Sequence, residues 1–332
     1  MKPKQLTWLA VCLIFASCIV ISCGDDDNES PTDSMPAPTL TGKWVVVSGN
    51  MATQINFNVD KTVDLLYQSD FGVRSFESYV YLLTESQVIF GYYIYNYSKS
   101  ADTLRLIRVA DTTVLARDDA APSLDEWAEP ITIITDFDAP VNRAVDIAWH
   151  NDRLWFGNSY ASDYLYKIDV SSGNVTDSLN TGRWAWGICW AGDDLWVSSD
   201  GSEYIYRIDT ITGNTLQASV SMGAWINGIA FDGQYLWTGS HNESTIYCYD
   251  PAMSAVVDTF FVGRAVEGMT FYNGFLYACV NGIINKIQMS PFQVVAAFRI
   301  EGSFIEGITH DGTNFWLAVQ HDNLATVAAA SL

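Results

Sequence analysis

Trp186-Gly187-Ile188-Cys189-Trp190-Ala191-Gly192-Asp193-Asp194-Leu195-Trp196 is the stretch that decides the fold. Near-copies of it end at Trp155, Trp237, Tyr277 and Trp316, so the unit returns every 39 to 41 residues. Each copy reads as a strand carrying Gly-Ile-x-aromatic, a turn of Asp, Asn and Gly, and a strand carrying Leu-Trp-x-small. A third strand follows a polar loop: Tyr166 to Asp169, Tyr206 to Asp209, Tyr247 to Asp250, and Asn285 to Gln288. Turns such as Ser172-Gly173-Asn174 and Thr212-Gly213-Asn214 then lead to a fourth strand. Four short strands repeated at this period specify a β-propeller.

The last unit stops at its third strand, over Leu324 to Ala328. Conversely, Ile131 to Phe137 reads as a strand that precedes the first complete unit and has no partners beside it. Pairing these two ends closes the ring and removes a sheet edge. The expected architecture is a five-bladed propeller over 131–332, closed by its own N-terminal strand. Innermost strands crowd at the axis, which explains the column Gly187, Gly228, Gly268 and Gly307. The first unit has Asp146 there, and a wider or polar opening is expected at that blade.

Residues 40–118 lack the repeat. They hold short β-rich runs, among them Lys43 to Val47, Val80 to Leu83 and Leu104 to Ile107, divided by turns such as Asp60-Lys61. The all-β character thus extends over the whole chain. Residues 119–130 read as an acidic, proline-bearing linker, with one helical turn over Leu124 to Trp127.

At the start, Lys2 and Lys4 precede an apolar run, Leu6 to Ile21. This pattern is a secretory signal and is too short for a permanent span. Val20-Ile21-Ser22-Cys23 resembles a bacterial lipobox, which makes residues 1–22 a signal peptide and Cys23 the lipidated residue; Phe15 to Cys18 is a rival site. Residues 23–39 are acidic and carry Pro31, Pro36 and Pro38, and they resemble the disordered tethers of surface lipoproteins in Bacteroidetes. The expected location is the cell envelope, lipid-anchored, at the outer membrane.

The formal charge is −21, and −23 once residues 1–22 with their two lysines are gone. Such a chain has no general electrostatic footprint for nucleic acid or anionic membrane. Outside the signal the cysteines are Cys189, Cys248 and Cys279, an odd number scattered over the repeats; Cys189 and Cys279 stand in columns of small residues and read as small buried fillers. No zinc spacing, calcium loop, nucleophile elbow or phosphate loop is present. No metal and no cofactor are expected.

One ring of loops gathers chemistry. The column just before the glycines holds Val145, Trp186, Asn227, Glu267 and Glu306; two positions earlier stand Arg143, Trp184, Trp225, Ala265 and Phe304. Loops on the same face add Tyr160, Asp163, Asp200, Glu203, His241, Asn242, Glu243, Gln320, His321 and Asp322. Aromatic planes, two carboxylates on adjacent blades and an arginine thus converge at an axial funnel. Arg143, Trp184, Trp186, Trp225, Asn227, His241, Glu267, Glu306 and His321 are the candidate ligand-binding residues, and a wet channel that binds nothing specific is the alternative. Trp184 and Trp225 would form a platform there, or fold down between blades. Two neighbouring carboxylates should raise one pKa. His310 shares the column of Trp149, Trp190, Phe231 and Phe271 and is expected in the core.

Two resemblances add to this reading. Gly42-Lys43-Trp44 followed by Phe57-Asn58-Val59-Asp60 resembles the small lipocalin-like domains of Bacteroidetes lipoproteins. The resemblance implies a barrel over 40–118 with Trp44 packed across its closed end, either around an apolar cavity or filled by its own side chains. Trp186-Gly187-Ile188, Ser199-Asp200-Gly201-Ser202, Gly228 to Asp232 and Glu267-Gly268-Met269 resemble the plant- and bacterial-type glutaminyl cyclotransferases, which are five-bladed propellers. In that family the catalytic glutamate follows the first innermost strand. Here Phe156-Gly157-Asn158-Ser159 offers none, so Glu267 or Glu306 would have to supply the acid. Three functions follow as expectations: a binding module taking a saccharide, peptide or protein partner at the funnel, a cyclotransferase-type enzyme, or a structural spacer in a surface complex.

Overall fold

A computed structural model describes residues 40–332 except 49–51, 85, 92, 109–110, 141–142, 144, 158–162 and 322–323. The expectations about the signal, Cys23, the tether, Tyr160 and Asp322 lie outside the described residues, as does the side chain of His321.

The chain is all-β: a closed eight-stranded barrel followed by a five-bladed propeller. The barrel runs in simple up-and-down order from Gly42–Ser48 to Asp111–Arg117, and these two strands pair to close it. Alternation sends Ile55, Phe57, Val63, Leu65, Phe90, Leu104, Leu106 and Leu115 inward, all essentially buried. Eight strands leave an interior that side chains can fill, and one aromatic and aliphatic cluster occupies it. Trp44 is fully buried, and its indole N–H donates to the Leu40 carbonyl at 2.9 Å.

The blades follow the repeat. The innermost strands are Ile147–His150, Ala185–Ala191, Ile226–Phe231, Val266–Tyr272 and Phe304–His310. The second strands carry Trp155, Trp196, Trp237, Tyr277 and Trp316, all buried between blades. Closure takes the form the two chain ends implied. Ile133–Asp138 is the outer strand of the fifth blade and pairs antiparallel with Leu324–Ala330, from Ile133 opposite Ala330 to Asp138 opposite Thr326.

The segment 119–130 is built more firmly than a linker. Ser123 and Glu126 form a reciprocal capping box on the helix Leu124–Trp127. Glu129–Pro130 then adds a fifth strand, in parallel, to the fourth blade. Trp127 is buried, and Asp125 pairs with Arg299.

The barrel is seated on the propeller through its third and fourth strands, Thr62–Gln68 and Arg74–Leu83. The amide of Asn285, with no exposed surface, accepts from the Arg74 N–H at 2.7 Å and donates to its carbonyl at 3.0 Å. Phe71 packs edge-on against Phe260 and Phe292, and Arg264 lies 3.7 Å over the Tyr67 ring. Buried amides are retained when both polar ends are satisfied, as Asn285 is here.

Candidate functional site at the propeller axis

Five innermost strands meet so closely that four of them admit no side chain at the axial position. A Cβ on Gly187 would lie 1.8 Å from the Asn227 carbonyl oxygen, and one on Gly228 would lie 2.2 Å from that of Glu267. No side chain fits such distances, which accounts for the glycine column.

Asp146 corrects the expectation of an opening at the first blade. It is 1% exposed, and its carboxylate crosses the axis. One oxygen accepts from the backbone N–H groups of Ile147 at 3.0 Å and Ile308 at 3.4 Å, and the other accepts from Ile188 at 3.3 Å. The Ile229 N–H is a further donor. Four blades therefore direct backbone donors at one carboxylate, and the position is polar but plugged. Burial pushes its pKa well above the usual carboxylate range, and the four N–H groups oppose that shift.

The plug divides the axis. On one side a space of about 10 Å³, room for one water-sized group, is lined by Arg143, Val145, Asp146, Trp186, Asn227, Glu267 and Glu306. Five of the expected residues thus meet. Asn227 donates to Glu267 Oε2 at 2.7 Å, and His241 Nδ1 lies 3.4 Å from Glu267 Oε1. The Glu267 hydrogen bond raises the His241 pKa, against the opposing effect of burial. Burial, then the charge of Glu267, push Glu306 up to about 8, while Arg143 and His241 hold it down. Arg143 lies 5.3 Å over Trp186, and His241 meets the same indole edge-on at 6.2 Å.

Trp184 and Trp225 are not among the residues lining that space. They stand immediately before two innermost strands and are 41% and 49% exposed. This exposure differs from folding down between blades. The Trp184 carbonyl accepts from the Asp200 N–H, and the Trp225 carbonyl accepts from that of His241.

On the other side of Asp146 a cavity of about 150 Å³ is ringed by Trp149, Trp190, Phe231, Phe271 and His310, one per blade. This corrects the expectation that His310 is core: all five are only half-buried, because their column lines the axial cavity. His310 accepts from the Gly312 N–H and stacks on Tyr272 at 3.4 Å. Among the described residues no group of acidic, histidine and cysteine side chains could hold a metal ion. Cys189, Cys248 and Cys279 are buried and free.

A carboxyl that holds its proton to about pH 8 makes stability depend on pH. Below the unfolded pKa of about 4.3 the two states bind the same protons. Between there and about 8 the folded state binds more, so stability falls as pH rises. Wild type should be less stable at pH 9 than at pH 5, and Glu306→Gln should remove on the order of 2 kcal/mol of that loss, the open mouth trimming the full effect. Urea unfolding of both proteins across this range checks it; parallel curves would contradict the assignment.

An eight-stranded barrel seated on a five-bladed propeller, with carboxylates at one axial mouth, is the class of protein that the fold and site define. No family model and no curated protein sequence matches the chain. Among solved structures it is similar to the glutaminyl cyclase of Myxococcus xanthus, with a TM-score of 0.53 and 12% identity over 61% of this chain and 96% of that one. The hydrazine synthase of Kuenenia stuttgartiensis matches at TM-score 0.40 and 14% identity, over 56% of this chain and 58% of that one. A chain of the mitotic checkpoint complex matches at 0.40 and 13%, over 94% and 99%. At 12% identity the likeness to the cyclase is one of fold.

Proposed function

We propose that the axial mouth is a binding site for a ligand with a free ammonium end and a flatter, less polar body, such as an unblocked peptide amino terminus. The observation that carries this is the convergence of Glu267 and Glu306 over a space that admits one water-sized group. An ammonium is the head of that size that two carboxylates favour. The half-exposed indoles of Trp184 and Trp225 offer large apolar faces to the rest of the ligand. The net charge of −21 draws cations toward the mouth. Calorimetric titration with short peptides, oligosaccharides and amines tests the reading. Free amino termini should bind, acetylated ones at least about tenfold more weakly, and Glu267→Gln should abolish the difference. Equal binding of free and acetylated peptides would overturn it and point to a saccharide or protein partner.

A cyclotransferase-type activity is the second reading, and one observation favours it. Glu306 holds a proton near neutral pH beside Glu267, which is bonded to Asn227 and His241. In that reading the α-amine of an N-terminal glutamine attacks its own side-chain amide carbon. Glu267 takes the amine proton, and Glu306 gives a proton to the departing ammonia. Ammonia release from glutaminyl peptides, lost in Glu306→Gln, would support it.

The protein acts in this proposal as a lipid-anchored binding module of the cell envelope, held at Cys23. The lipobox and the acidic residues after it support the anchoring. Cys23→Ala should move the protein from the membrane fraction to the soluble one, and Cys18→Ala should not. A mature chain beginning at Cys18 in mass spectrometry would contradict the assignment.

A further inference from the structure

The buried tryptophan of the second strand needs an acceptor for its indole N–H. In the third blade Trp237 donates to Asp232 at 2.7 Å, and in the fifth Trp316 donates to Asp311 at 2.8 Å. Both aspartates directly follow the aromatic residue that ends the innermost strand's repeat. The first blade has His150 at that place. His150 lies within 2.7 Å of the Asn151 amide and stacks flat on Trp190 of the second blade, 3.7 Å between centroids and 4° from parallel. Trp155, only 7% exposed, is thereby left without an acceptor among the described residues, and so is the indole N–H of Trp190. A buried donor left without an acceptor is costly.

These two rings line one cleft between the first and second blades, about 720 Å³ in volume. That is within the size of ligand pockets, roughly 300–1,000 Å³. One wall is aromatic: His150 stacked on Trp190, with Trp155 inclined 55° to the Trp190 ring. Burial lowers the His150 pKa, so this wall is uncharged near neutral pH. The rim mixes signs, with Arg153 and Lys167 against Asp152, Asp177 and Asp193. An anion would meet three carboxylates, and a cation would meet two bases. A neutral ligand carrying many hydroxyls can accept from Arg153 and Lys167 and donate to Asp177 and Asp193, while its C–H face lies on the aromatic wall.

We infer that the cleft between the first two blades is a saccharide-binding site, separate from the axial mouth and on the opposite side of the Asp146 plug. It takes a neutral oligosaccharide of two to four sugars. The full mature protein can be titrated by calorimetry with cellotriose, maltotriose, mannotriose and N-acetylchitotriose. At least one should bind with a dissociation constant of about 10 mM or tighter. Ser178→Trp, an exposed position on the cleft wall, should fill the site and weaken that sugar at least about tenfold. Asp177→Ala should weaken it without altering the unfolding midpoint. Trp184→Ala with Trp225→Ala should leave it unchanged. Failure of all four sugars to bind wild type would overturn the inference, as would binding that Ser178→Trp leaves intact or that the axial double variant abolishes.

Discussion

Deleting residues 131–138 should cost about 5 kcal/mol or more, on the scale of a whole domain's stability. The strand Ile133–Asp138 satisfies the outer edge of Leu324–Ala330. It also contributes buried surface. Ile131 and Ile133 pack on the cluster of Phe298, Ile305, Phe315 and Leu317, and Phe137 lies 6.1 Å from the Trp316 ring. Removing it opens the ring at its seam and bares an edge strand that pairs readily with other chains. Urea unfolding and size-exclusion chromatography should show a lower midpoint and an associating product. An unchanged midpoint with a monomeric product would show that the seam lies elsewhere.

The second large effect is expected at Asp146. Its carboxylate is the common acceptor for backbone N–H groups of four blades. Asp146→Ala removes an acceptor that the crowded axis cannot replace with another side chain. Each orphaned donor costs about 1–3 kcal/mol, so a total of about 3 kcal/mol or more is expected even after relief from burying a carboxylate. Asp146→Asn is the sharper test. Its oxygen can still serve Ile147 and Ile308, but its amide nitrogen then faces the Ile188 N–H, donor against donor. The asparagine variant should therefore also be destabilised, by roughly half as much. Its stability should also vary less with pH. The raised pKa of Asp146 stabilises wild type most below the unfolded value of about 3.9, and that contribution is lost as pH rises toward the folded one. Wild-type stability in Asp146→Asn would show that the plug is steric only.

The repeat made the blades legible because it fixes which layer each residue occupies. It led to the five blades, the closing strand and the axial glycines, and it placed Asn227, Glu267 and Glu306 in one ring. A column gives the layer of a residue but not its contacts. Asp146 stood out as the exception in the glycine column, yet spacing alone read it as an opening. Only the directions of the Ile188, Ile229 and Ile308 N–H groups make it a plug. His310 was misplaced for the same reason: its column is aromatic, and aromatic residues fill either an interblade core or an axial rim. The seat of the barrel was not legible at all. Asn285 is an ordinary polar residue in a strand until the Arg74 backbone is brought against it. The segment 119–130 did carry a signal, the Ser-x-x-Glu pattern at Ser123 and Glu126, which marks a capped helix and not a loose linker.

A cation site formed by Glu267 and Glu306 is tested directly by proton release. Near pH 7 Glu306 holds its proton, with its pKa at about 8. An ammonium arriving beside it favours the ionised form, so binding should expel that proton. The probe is a tripeptide mimic ending in a primary alkylamine, which stays charged at this pH. Its binding heat is measured at pH 7 in buffers of different ionisation enthalpy. Wild type should release about one proton per ligand bound, and Glu306→Gln none. Heat that does not vary with the buffer, or the same release from Glu306→Gln, would contradict it.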